Sequence, residues 1–168
     1  MNALHEYLSS DQLRRLRAAY DRKEMLTQIG IPLPALAPTT QEYINTIEHA
    51  FYSKEPGSSA SGASDSLSVR ERELCLLVLL ATHHSQHNLA IHVYLGLMEG
   101  ISPREIGNLF LLTGIYSGVP ALASALRTAA MALGALAKTV AAHVEAPADN
   151  PLNATAILDV LKKTFPYV

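Results

Sequence analysis

The sequence predicts an all-α protein, and three observations carry that expectation. Apolar residues recur at three- and four-residue spacing between the proline and glycine breaks. Helix-start signals stand where such runs begin, as at Thr39–Glu42 and Ser102–Glu105, each a hydroxyl followed three residues later by a glutamate. No stretch shows the alternation that a half-buried strand requires.

Taken in order, the first helix is expected over about 11–28, with Ser10 as its N-cap and Gly30 just past its end. Recurring prolines keep 31–38 out of any helix. The Thr39–Glu42 box opens a helix with Ile44, Ile47 and Phe51 on one face. The Gly/Ser run at 55–66 reads as a flexible loop. A helix over Val69–His83 follows, then one from near Ser85 that Gly100 ends. Ser102, Pro103 and Glu105 start the next, and "YSGVP" at 116–120 breaks it. An alanine-rich helix is expected over 121–143, a loop over 145–153, and a last amphipathic helix over 154–165. These elements make one domain over 1–168. It consists of an N-terminal helical arm (1–54), the loop (55–66), a core (67–143) and a C-terminal extension (144–168).

Composition narrows the function. The 168 residues are 49% hydrophobic and 17% charged, with a formal charge of −2, which favours neither nucleic acid nor an anionic membrane surface. The apolar run at 74–81 is too short to cross a bilayer. No charged-then-apolar leader pattern opens the chain, so a cytoplasmic location is expected. Cys75 is the one cysteine, expected buried and inert inside "LCLLVLL". The small apolar surface of 119–144 exceeds what one such domain is expected to bury, which predicts a homo-oligomer.

Chemistry concentrates in "ATHHSQHNLAIHVYLGL" (81–97), which holds four of the seven histidines. On a helix starting near Ser85, the residues Ser85, Asn88 and His92 share one face. Glu73 lies upstream on a stripe shared with Leu76, Leu77 and Leu80, where a carboxylate needs a partner. An antiparallel hairpin brings it to His92, and a carboxylate that orients an imidazole makes an acid/base catalyst. An arginine, Arg70 or Arg127, is the structural alternative. His83 and His87 have the i, i+4 spacing of a metal pair, but a helix boundary is expected between them and no carboxylate lies in the stretch, so no metal is expected. No nucleophile elbow surrounds Ser85, whose simpler role is helix N-cap.

At these residues the chain resembles a known family. "RERE" opening an apolar helix, "HV" followed by "GLMEGISPREI", and then "IYSGVPALASAL" resemble the carboxymuconolactone decarboxylase family, which includes the alkylhydroperoxidase D-like proteins. The resemblance covers about Ser68 to Ala129. It implies an all-α, alkylhydroperoxidase D-like domain around a central helical hairpin, assembled as a homotrimer or homohexamer. By the same resemblance, the glutamate and histidine of the redox branch fall on Glu73 and His92, and its Cys-x-x-Cys pair on Ser85 and Asn88. Neither of these can form a disulfide or a sulfenic acid, so thiol-dependent peroxide reduction is excluded. The decarboxylase branch lacks the cysteines and keeps the histidine, but tends to have a carboxylate where this chain has Asn88. The implied activity is a lyase-type, cofactor-free decarboxylation or isomerisation of a small carboxylated or lactone-type substrate. His92 and Glu73 are its expected catalytic pair, and Ser85, Asn88, His84, His87 and Tyr116 its expected substrate contacts. A non-catalytic oligomeric binding protein is the alternative.

Overall fold

A computed structural model describes residues 4–29, 67–149 and 151–166. The helix expected after Thr39 and the loop at 55–66 lie outside the described residues. Among those described, the chain is helical without a strand, in agreement with the sequence. A 3-10 turn at Leu4–Glu6 precedes α1 (Ser10–Ala18), α2 (Arg22–Ile29), α3 (Val69–Thr82), α4 (Gln86–Met98), α5 (Pro103–Glu145) and α6 (Ala154–Thr164).

The helix starts are chemically explicit. Ser9, Ser68 and Ser102 each accept the backbone N–H three residues on, and Gln12, Glu71 and Glu105 reach back to the cap. The expected cap Ser10 is therefore the first helical residue, and Ser9 does the capping. The single helix expected over 11–28 is two helices. Asp21 Oδ1 accepts from the N–H groups of Lys23 (2.7 Å) and Glu24 (3.1 Å), which starts α2 afresh.

α4 is the central element. Leu89, Ala90, Ile91, Val93, Tyr94, Leu95, Gly96 and Leu97 are all buried, so apolar residues surround most of it. It ends in a paired hydrogen-bond motif. Ile101 N–H donates to Gly96 O at 2.8 Å and Gly100 N–H to Leu97 O at 3.3 Å, with Gly100 at φ +87°. α3 returns antiparallel to α4, and α5 packs on both. Leu77, Phe110, Leu133, Leu136 and Leu158 close the core. Each buried Leu or Phe contributes about 1.5–3 kcal/mol.

The break expected at 116–120 is a kink within α5, where Gly118 leaves the helical region (φ 84°, ψ 167°). Pro120 cannot continue the preceding turn, because its ring meets the carbonyl four residues back. Glycine alone takes the resulting φ without strain. By length and composition α5 could cross a membrane. One row of it, including Ile106, Phe110, Ala129, Leu133 and Leu136, lies instead in the bundle core.

Cys75 corrects an expectation. The thiol is exposed, not buried. α3 turns Glu73, Leu77 and Ala81 inward at four-residue spacing, and this leaves Cys75 and Leu79 on its outer side. The apolar run "LCLLVLL" hid which face is the inner one.

Candidate active site

Two helices bring the central pair together. Glu73 sits one turn into α3, and His92 lies midway along α4. His92 Nδ1 lies 2.9 Å from Glu73 Oε2. The carboxylate is 1% exposed and the imidazole 15%. An ionised carboxylate only accepts, so Nδ1 carries the proton and donates it to Glu73. This fixes the tautomer and leaves the Nε2 lone pair as the basic site. The arginine alternatives are occupied elsewhere. Arg70 forms an ion pair with Glu105, and Arg127 is exposed.

Ser85 and Asn88 continue the same face toward the hairpin turn. Ser85 precedes α4 in the cap position, but its hydroxyl caps no backbone N–H. It accepts from Asn88 Nδ2 at 3.1 Å instead. The side chains are tied to each other and present a polar surface one to two turns from His92.

The turn histidines behave differently. His83 and His84 are exposed, and His84 holds φ +56°, unusual for a residue with a Cβ. His87 is half-buried and donates through Nδ1 to the carbonyl of Phe165. Together with Ser85, Met131 and Thr164, His84 and His87 line a cavity of about 470 Å³ under the end of α6. Tyr116 is not part of this arrangement. It is 89% exposed beside the Gly118 kink. Among the described residues, no three His, Cys, Asp or Glu side chains are grouped to hold a metal ion.

Three residues that sequence reasoning missed, Glu99, Tyr20 and Arg22, interact by charge, and Glu99 and Tyr20 also feel Glu73. Glu99 lies seven residues beyond His92, on the same face of α4. Burial chiefly holds its carboxyl above the usual range, Glu73 adds to this, and Arg22 opposes it. Tyr20, from the link between α1 and α2, packs edge-on against Tyr94 with ring centroids 6.1 Å apart. Burial, then the charges of Glu99 and Glu73, push its phenol up to about 12, against the pull of Arg22. Spacing on α4 could have found Glu99. No local signal points from the arm to the hairpin.

No curated protein and no solved structure matches the chain. The sequence model of the Carboxymuconolactone decarboxylase family matches residues 58–131, a span that holds Glu73, Ser85, Asn88 and His92. Over residues 58–131 the chain is thus similar to the carboxymuconolactone decarboxylase family.

Proposed function

We propose that the protein is a cofactor-free acid/base enzyme that decarboxylates or isomerises a small carboxylated or lactone-type molecule. The observation that carries this is the Glu73–His92 pair. Its carboxylate is sealed from water, and its imidazole keeps an exposed edge. In an isomerisation, His92 Nε2 takes a proton from carbon and returns it to the neighbouring position. In a decarboxylation, His92 Nε2 first takes up a proton from solvent; the electron pair of the breaking C–C bond then passes into an enolate, CO2 leaves, and the imidazolium returns its proton to the carbon. Ser85 and Asn88 are suited to hydrogen-bond the substrate carbonyl at the N-terminus of α4, where backbone N–H groups are free to stabilise developing charge.

The thiol chemistry of the redox branch has no counterpart at Ser85 and Asn88, and Cys75 lies on the outer side of α3. A homotrimer or homohexamer in the cytoplasm is part of the reading. Its support is the exposed apolar row Leu111, Leu112, Ile115, Tyr116 and Val119 around the kink, each more than half exposed. Light scattering that returns only the monomer mass removes the assembly.

A panel of β-keto acids and small lactones tests the activity, with the wild-type chain and His92→Asn assayed in parallel. Turnover that vanishes in His92→Asn is the expected result. If the wild type turns over nothing on the panel yet binds its members, the protein is an oligomeric binding protein that keeps the fold.

A further inference from the structure

Asp21 caps α2, and Arg22 leaves the backbone at the first residue of that helix. Its Nε and Nη2 are buried and have no hydrogen-bond partner among the described residues. A guanidinium stays charged at any ordinary pH, and a buried cation without an acceptor is strongly unfavourable. The two orphaned atoms are not a random pair. Nε–H and Nη2–H form one edge of the guanidinium, the fork that matches both oxygens of a carboxylate.

The surroundings locate this fork. Tyr20, two residues before Arg22, packs edge-on against Tyr94 of α4, and Arg17 Nε donates to Leu97 O at 3.0 Å, so the arm lies against the C-terminal half of α4. The ion pairs of the described residues do not include Arg22 with Glu99. Glu99 and His92 are two turns apart on one face of α4, about 10 Å of helix rise. Ser85, Asn88 and His92 follow one another along one face of α4, and the arm that carries Arg22 reaches the same helix beyond His92.

We propose that Arg22 is the anion-binding residue of the His92 site and takes a substrate carboxylate through Nε and Nη2. Its catalytic meaning rests on the acid/base reading above. The binding itself does not, because it can be measured without turnover. The proposal gives the N-terminal arm a role: it brings a cation to the site from outside the hairpin and selects substrates with a carboxylate remote from the reacting carbon.

The test uses the full chain and two probes, succinate and its neutral match succinamide, in titration calorimetry. His92 ring resonances are followed alongside by nuclear magnetic resonance. The wild type should bind succinate more tightly than succinamide, and the His92 resonances should shift on binding. Arg22→Gln should weaken succinate about tenfold or more and leave succinamide nearly unchanged, since a charge-assisted pair is lost. Arg22→Lys keeps the charge but loses the fork, so it should fall between them. It also carries the test if Arg22→Gln does not fold. Glu99→Gln removes a competing carboxylate and should tighten succinate. Equal succinate affinity in wild type and Arg22→Gln overturns the proposal, as does a wild type indifferent to the probe's charge. Weaker succinate binding in Glu99→Gln also overturns it, by showing that Arg22 is held by Glu99. These binding readouts need no turnover. Absence of turnover in every variant would therefore sink the acid/base reading alone.

Discussion

His92 and His87 lie five residues apart on one helix, and both rings are anchored through Nδ1. The difference is the acceptor. His92 donates to a carboxylate that is 1% exposed, and His87 donates to the backbone carbonyl of Phe165. A carbonyl aims a ring. A buried carboxylate aims it and adds a full charge beside it. Identical side chains, equally visible in the sequence, thus acquire different capacities from what the fold puts behind them. The deep end of the hairpin holds a carboxylate–imidazole pair, and the turn end lines a cavity.

The sharpest way to break this contrast is kinetic. His92→Asn should lower turnover about a hundredfold or more, the usual worth of a positioned acid/base group, and His87→Asn should change it by less than about tenfold. Comparable losses in single-turnover assays would mean that the histidines act as a set. Stability gives the next largest effect. His92→Leu takes the imidazole away from the buried Glu73 carboxylate and should cost about 3 kcal/mol in urea unfolding. His87→Leu frees a carbonyl beside a cavity and should cost only about 1 kcal/mol. Equal costs would show that the burial of Glu73 is not what separates the two ends.

A pH experiment refines the picture of the deep end. Burial and the neighbouring carboxylates raise the Tyr20 phenol from 10 to about 12. In that window the unfolded chain loses the Tyr20 proton and the folded chain keeps it, so stability falls as pH rises from 10 to 12. Tyr20→Phe should remove this loss, on the order of 1 kcal/mol once solvent screening is allowed for. An unchanged alkaline slope would put Tyr20 in a wetter setting than described. The smallest effect belongs to the outer side of α3. Cys75→Ala should leave turnover intact and shift stability by no more than about 0.5 kcal/mol. A loss beyond 1 kcal/mol would mean that this face is covered in the assembled protein.

Much of this architecture is written locally. The capping boxes at Ser68 and Ser102, the Gly100 terminus and the Gly118 break are set by residues within a few positions of one another. The spacing of Glu73 and His92 was equally readable once a hairpin was assumed. What stayed hidden depends on distant packing or on ambiguous sides. "LCLLVLL" is apolar all round, so it did not say that Cys75 faces out. Asp21 interrupts a run whose helical periodicity continues through it. Ser85 looks like a cap, but Asn88 supplies a competing donor. Tyr20 and Arg22 join the site only through tertiary contacts of the arm, which no spacing encodes.

The arm is held by partners far along the chain. Gln12 donates to Ala137 O at 3.2 Å across 125 residues, and Glu24 accepts from the Thr155 hydroxyl at 2.7 Å across 131. The α3–α4 hairpin, in contrast, closes within about thirty positions and needs no remote contact to form. On a ribosome, at about 5–20 residues per second, Glu24 waits on the order of ten seconds for Thr155 to be made. The hairpin can pair Glu73 with His92 during that wait. The Glu24–Thr155 anchor forms only after α6 has emerged, so it is the last hold on the arm to assemble.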